Sequence, residues 1–181
     1  MKVTRTQLDG CFIVEPRIFK DERGCFFESF NQSQFEEAVG TKINFVQDNQ
    51  SVSKRGVIRG LHFQTGDDAQ AKLVRVLQGV VLDVAVDLRK SSSTYGEHVT
   101  IELSSENKKQ LFIPRGFAHG FITLSETAEF FYKCDNFYKK EAEGGIIYND
   151  PELGIDWKLA PNEIILSSKD AELPLLRESV L

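Results

Sequence analysis

From Ile43 onward the apolar residues fall in short runs, at 43–48, 51–54, 57–63, 72–78, 80–88, 98–103, 110–113, 119–124 and 127–134. Several of these runs alternate with a period of two. Leu82, Val84, Val86 and Leu88 share one face of an extended segment, and Asp83, Ala85 and Asp87 share the other, which predicts a half-buried strand. Val99, Ile101 and Leu103 repeat the spacing. Many strands with no helical segments between them argue against a parallel α/β sheet. They favour a mainly β, antiparallel sandwich or jelly roll with short peripheral helices, whose interior can hold a ligand.

Ahead of this region, 11–14 and 25–30 read as short strands joined through the polar turn Lys20 to Gly24, giving an N-terminal hairpin. Asn31 is placed to cap a short helix that carries Phe35, Ala38 and Val39 toward the core and stops at Gly40. Beyond Lys139, the stretch containing Glu141, Glu143, Gly144 and Gly145 reads as a flexible loop at the edge of a site, and Asn149-Asp150-Pro151 as a turn. The remaining segment, with Trp157, Pro161 and Leu173 to Leu176, is too short for a second domain and is expected to pack on the barrel. One domain over 1–181 is therefore expected.

Composition narrows the partners. The net charge is -5, and the 22 basic residues are dispersed, which disfavours a nucleic-acid or anionic-membrane surface. No apolar run approaches the roughly 18 residues of a membrane span, because Asp83 and Asp87 interrupt the most hydrophobic stretch. Cys11 to Val14 is too short for the core of a signal peptide. Cys11, Cys25 and Cys134 are odd in number and lack metal or redox spacing. A soluble, cytoplasmic protein is expected.

The chemistry concentrates in Gly56-Val-Ile-Arg-Gly-Leu-His-Phe-Gln64. His62 can exchange a proton near neutral pH, and Arg59, three residues away, can bind an anion. Taken alone, a strand histidine is more often a hydrogen-bonded structural residue than a catalyst. A second histidine, His119, closes the Pro-x-Gly-x-x-His arrangement of Ile113-Pro-Arg-Gly-Phe-Ala-His-Gly120. Metal-binding cupins carry such a second segment together with His-x-His and a glutamate in the first. Here the first reads His62-Phe63-Gln64, and no acidic residue follows before Asp67. Two nitrogen ligands are too few for a catalytic metal, so acid-base chemistry by side chains, without metal or cofactor, is expected.

Nine segments fall in a fixed order along the chain: Asp21-Glu-Arg-Gly24, Gln47-Asp-Asn-Gln-Ser51, Arg59-Gly-Leu-His-Phe-Gln64, Lys72-Leu-Val-Arg-Val76, Ile113 to Gly120, Phe131-Tyr-Lys-Cys134, Glu143-Gly-Gly145, Asn149-Asp-Pro151 and Ser168-Lys-Asp170. By these segments the chain resembles the dTDP-4-dehydrorhamnose 3,5-epimerase family over nearly its whole length. The resemblance implies a cupin-type double-stranded β-helix that forms a homodimer, with the N-terminal strands near 11–30 crossing between subunits. It also implies inversion of C3 and C5 of a 4-keto-6-deoxyhexose carried on dTDP. By the same resemblance His62 is the base, Asp170 its partner, Lys72 the cation near the enolate oxygen and Tyr132 the donor on the opposite face. Arg23, Arg59 and Lys169 match diphosphate contacts. Glu28, Gln47, Asn49 and Glu143 match contacts to nucleotide or sugar, His119 one near the sugar-diphosphate, and Tyr138 the ring that stacks on thymine. A single-centre epimerase, a 3,4-ketoisomerase and a non-catalytic nucleotide-sugar binding module are the alternatives.

Two local features bear on how these residues meet. Ideal alternation puts Arg59 and His62 on opposite faces, so a bulge or bend at Gly60 is expected. The 65–71 loop lacks the proline associated with the family, which leaves Lys72 less restrained.

Overall fold

The computed structural model describes residues 1–179. In chain order the strands are β1 (Lys2–Arg5), β2 (Phe12–Glu15), β3 (Ile18–Asp21), β4 (Gly24–Phe27), β5 (Gln47–Lys54), β6 (Ile58–Gln64), β7 (Lys72–Gln78), β8 (Val80–Asp87), β9 (His98–Ser104), β10 (Gln110–Ile113), β11 (Phe117–Thr123), β12 (Thr127–Cys134) and β13 (Glu143–Gly145). The helices are α1 (Gln32–Val39) and the single turn α2 (Ser168–Ala171). A six-stranded sheet, β1-β2-β10-β7-β12-β5, faces a five-stranded sheet, β13-β6-β11-β8-β9, in the mainly β, cupin-like arrangement expected. Every strand pairing within them is antiparallel.

Side chains from both inner faces build the central core. Val74, Val76, Leu111, Ile113 and Phe130 come from the six-stranded sheet, and Val81, Ala85, Phe117 and Phe121 from the five-stranded one. The Phe121 and Phe130 rings stack across the gap at 4.1 Å. A second core forms on the outer face of the five-stranded sheet, where Leu82, Val84, Val86 and Ile122 meet Ile146, Leu153, Trp157 and Leu176. The C-terminal segment thus packs on the barrel as expected, anchored by the Trp157 indole N–H, which donates to the Tyr148 carbonyl at 2.7 Å.

That outer layer corrects the reading of β8 as half-buried. Both faces of the strand are covered, and Asp83 and Asp87 are fully buried. The alternation was real, but its polar side faces the barrel interior rather than solvent. Three other boundaries differ. The turn at 20–24 joins β3 to β4, while β2 pairs with β1 and β10, so residues 11–14 are not part of that hairpin. Of the separate runs expected at 43–48 and 51–54, residues 47–54 form one strand, β5, and 43–46 lie outside it. Glu143 to Gly145, read as a flexible loop, is a strand that pairs with β6.

Helix α1 begins where expected. The Asn31 side chain accepts from the Gln34 amide, and Gly40 ends the helix in the left-handed conformation. Phe35 is buried and Val39 half-buried one turn on, but Ala38 is exposed, since the buried face runs through 35, 36 and 39 and position 38 lies on the other side of Phe35. Phe35 packs edge-on against Phe112 of β10 at 5.2 Å.

Candidate active site

β6 carries His62 into the barrel and also brings Arg59 to the same side. Opposite β6, the β11 register runs from His119 against His62 to Phe121 against Arg59, so three residues of β6 span two of β11. The extra residue turns Leu61 into the outer core and leaves Arg59 and His62 lining one cavity. Gly60 makes this possible. Its φ is +119°, and a Cβ there would lie 2.6 Å from the His119 carbonyl oxygen.

The cavity measures about 510 Å³. His62, Arg59, Lys72, Asn49, His119, Tyr132, Lys169 and Asp170 all line it. A smaller recess shares Asn49, His62, Lys72 and Tyr132 with it and extends to Gln47, Tyr138 and Glu143. Arg23 and Glu28 line neither space. Arg23 is paired with Asp21 at 2.6 Å, and Glu28 accepts from Gln34 at 3.3 Å, both near the β3–β4 hairpin.

His62 Nε2 lies 2.7 Å from Asp170 Oδ1, joining residues far apart in the chain. The imidazole is 29% exposed while the carboxylate is 6% exposed, so the ring is the more open of the two to a ligand. Asp170 is delivered by α2, whose N-cap, Ser167, accepts from the Asp170 amide at 3.0 Å. Burial pushes the Asp170 carboxyl up, but hydrogen bonds from His62, the Gly60 backbone and Ser167, with the His62 charge, hold it below the ordinary carboxylate range. With Nε2–H donating to this carboxylate, Nδ1 is the basic nitrogen.

The facing wall supplies different chemistry. Tyr132 lies on β12, on the same strand face as the buried Phe130 and Cys134. Burial raises its phenol, with Cys134 and Glu143 adding to the shift and Arg59 opposing it, so Tyr132 keeps its proton at neutral pH. Lys72 opens β7 directly opposite Cys134 in the register. Burial lowers its ammonium, and the acidic groups Cys134, Asp83 and Glu143 oppose that shift. The 65–71 loop before it is restrained without a proline: the Ala71 amide donates to Asp135 Oδ1 at 2.6 Å and the Asp135 amide to the Ala71 carbonyl at 3.1 Å.

Around this centre, Arg59 Nε donates to Ser53 at 3.0 Å and Nη2 to the Val52 carbonyl at 3.4 Å. Lys169 pairs with Glu143 at 2.5 Å, and the Tyr138 hydroxyl donates to the same carboxylate at 2.9 Å. Burial acts to raise the Glu143 carboxyl, but Lys169 and Tyr138 hold it low. Gln47 donates to Asn49 at 3.1 Å, and Asn49 to the Cys134 sulfur at 3.6 Å.

His119 has a partner that sequence reading missed. Its Nε2 lies 2.8 Å from Asp83 Oδ1 in the buried interior. Burial raises the Asp83 carboxyl against the pull of His119 and Lys72. Asp83 belonged to a polar face that looked solvent-facing, so only the depth of the second layer could reveal it. Ser53, which steadies Arg59, also went unremarked, because a serine on an alternating strand carries no signal of its own. Among the described residues no three His, Cys, Asp or Glu side chains are grouped to hold a metal ion.

The model of the family described as dTDP-4-dehydrorhamnose 3,5-epimerase matches residues 5–178. The chain is 55% identical to the dTDP-4-dehydrorhamnose 3,5-epimerase of Salmonella typhimurium, covering 100% of this chain and 98% of that protein. A crystal structure of the corresponding epimerase from Elizabethkingia anophelis superposes with a TM-score of 0.95 at 56% identity, covering 98% of this chain and 97% of that one. A dTDP-6-deoxy-D-glucose-3,5-epimerase from Legionella pneumophila, in complex with dTDP-4-keto-L-rhamnose, gives a TM-score of 0.94 at 51% identity, covering 98% and 93%. With sequence, fold and nearly full coverage in agreement, this chain belongs to the dTDP-4-dehydrorhamnose 3,5-epimerase family, a family of isomerases.

Proposed function

We propose that the enzyme converts dTDP-4-dehydro-6-deoxy-D-glucose to dTDP-4-dehydro-L-rhamnose by inverting C3 and C5, within dTDP-rhamnose biosynthesis. The observation that carries this is the origin of the two proton-handling groups. His62 comes from β6 of the five-stranded sheet and Tyr132 from β12 of the facing sheet, with Lys72 on the strand next to β12. C3 and C5 both adjoin the 4-ketone. When His62 takes a proton from either, the C–H bonding pair becomes the enolate π bond and the ketone oxygen takes the negative charge.

The Lys72 ammonium stabilises that oxygen, and Asp170 balances the charge on the His62 imidazolium. The enolate carbon then takes the Tyr132 proton from the opposite face, restoring the ketone with inverted stereochemistry. Exchange with water resets both groups before the second centre reacts. No step calls for a cofactor. Arg59, Lys169 and Arg23 serve the diphosphate; Gln47, Asn49, Glu143, Glu28 and His119 serve the nucleotide and sugar; and Tyr138 stacks on thymine. The keto-sugar nucleotide bound to the Legionella relative supports this substrate class.

The single domain works as a homodimer in this reading, with the β3–β4 arm carrying Arg23 and Glu28 to the neighbouring subunit's cavity. The unpaired thiols of Cys11, Cys25 and Cys134 support a reducing cytoplasmic setting, and no helix among the described residues is long and apolar enough to cross a membrane.

Turnover of dTDP-4-dehydro-6-deoxy-D-glucose in deuterium oxide, followed at C3 and C5 separately by NMR, tests the assignment. Label with inversion at both carbons is expected. Label at one carbon only identifies a single-centre epimerase, and movement of the ketone to C3 a ketoisomerase; either result replaces the proposed reaction.

A further inference from the structure

Gln64 ends β6 two residues after His62, at the place where the His-x-His pair of a metal-binding cupin would set its second imidazole. Its side chain is buried. Nε2 donates to the Phe137 carbonyl at 3.2 Å and to the Asp68 carbonyl at 2.6 Å, while Oε1 accepts from the Lys139 amide at 2.7 Å. One side chain therefore holds the carbonyl before Tyr138 and the amide after it. The Tyr138 amide in turn donates to Gln47 Oε1 at 3.0 Å.

Polar ties between the 65–71 loop and the same segment reinforce the clamp. Gln70 donates to the Asn136 carbonyl at 2.8 Å, the Asn136 side chain to the Asp67 carbonyl at 2.9 Å, and Lys139 pairs with Asp68 at 2.7 Å. Apolar packing contributes little here, because Phe137 is 62% exposed and Tyr138 53%. The backbone under Tyr138 is fixed by hydrogen bonds, and only Gln64 among these residues grips it from both sides.

We propose that Gln64 is a positioning residue for nucleotide binding, acting through the backbone of Tyr138; this rests on the reading of Tyr138 as the ring that stacks on the base. The amide has no proton to exchange in the reaction. Its work is to order the 136–139 segment before the ligand arrives, so that binding does not bear the entropy of ordering it.

The test uses two variants, dTDP titration calorimetry and steady-state kinetics with the keto-sugar nucleotide. Gln64→Leu keeps the bulk without the hydrogen bonds. Gln64→Glu is nearly isosteric, retains the acceptor for Lys139 and turns the former donor against two carbonyls, so it covers impaired folding of the leucine variant. Both should raise the Kd for dTDP by about tenfold or more, with KM rising more than kcat falls. Tyr138→Ala should also weaken dTDP, and adding it to Gln64→Leu should cost little more than the worse single change, because the two act through one contact. Wild-type dTDP affinity in the Gln64 variants, a loss confined to kcat, or fully additive effects would overturn the proposal alone. Wild-type affinity in Tyr138→Ala would overturn the stacking assignment and the proposal with it.

Discussion

Inversion needs two groups because one residue cannot serve both faces of a planar enolate, and the site offers a histidine on one wall and a tyrosine on the other. Tyr132→Phe keeps the ring and its packing against Phe130, 6.1 Å away, and removes only the donor hydrogen. If Tyr132 returns the proton, the enolate still forms on the His62 side and is reprotonated only from there. The variant should lose most epimerised product yet wash solvent deuterium into the substrate, which NMR of a single reaction in deuterium oxide can record. Near-normal inversion would reduce Tyr132 to a core residue. His62→Asn should abolish both exchange and inversion while binding dTDP almost as tightly as wild type, since the proposed diphosphate contacts lie on Arg59 and Lys169.

Among the elements, the end of β8 shows how a buried charge can organise a connection. Asp87 accepts from Arg89 Nε at 2.8 Å and Nη2 at 2.7 Å, from Ser92 at 2.6 Å and from Thr94 at 2.7 Å, closing the turn into β9. Burial acts to raise its carboxyl, but these donors hold it far below the usual range. A carboxylate depressed in the folded state stabilises above its unfolded pKa, about 3.9, and that stabilisation is lost as pH falls toward the folded value. Asp87→Asn should therefore cost about 1.5–3 kcal/mol at pH 7. The gap from wild type should narrow below about pH 4, as urea titrations across the acid range would show; a constant gap would mean that charge is not what the turn depends on.

For the whole molecule, the β3–β4 arm and the edge strand β5 are the incomplete parts. Among the described residues the arm pairs only with itself and leaves Phe26 70% exposed and Phe19 50%, while β5 ends its sheet with Val52 66% exposed. Arg23 and Glu28 sit by this arm, away from the cavity of their own chain. The proposed exchange across a dimer predicts complementation. Mixed dimers of Arg23→Ala and His62→Ala chains contain one site with an intact His62 and an intact arm from the partner, so activity should exceed that of either parent after subunits are remixed. If each arm served its own chain, no mixed dimer would hold a complete site and remixing would restore nothing.

The local pattern along the chain determined most of the strands between 47 and 134, the cap and stop of α1, and the need for an irregularity at Gly60, because these depend on neighbours within a few residues; β1, β3 and β13 are short pieces with no such pattern. The ordered segments shared with the family were enough to identify it and to nominate Asn49, Arg59, His62, Lys72, His119, Tyr132, Lys169 and Asp170 among the residues that line the cavity. Depth was not legible. An alternating strand looks the same whether its polar face meets water or a barrel interior; here the C-terminal segment covers the apolar face of β8, and Asp83 on the other face turns inward to His119. Pairing was equally hidden: the turn at 20–24 announced a hairpin without saying which strands it joined, and the two glycines after Glu143 suggested a loose loop until β6 supplied a neighbour. The 2.7 Å contact between His62 and Asp170 belongs to the tertiary structure for the same reason, since hydrogen bonds between distant residues are set by how sheets and segments close on one another, which no local periodicity encodes.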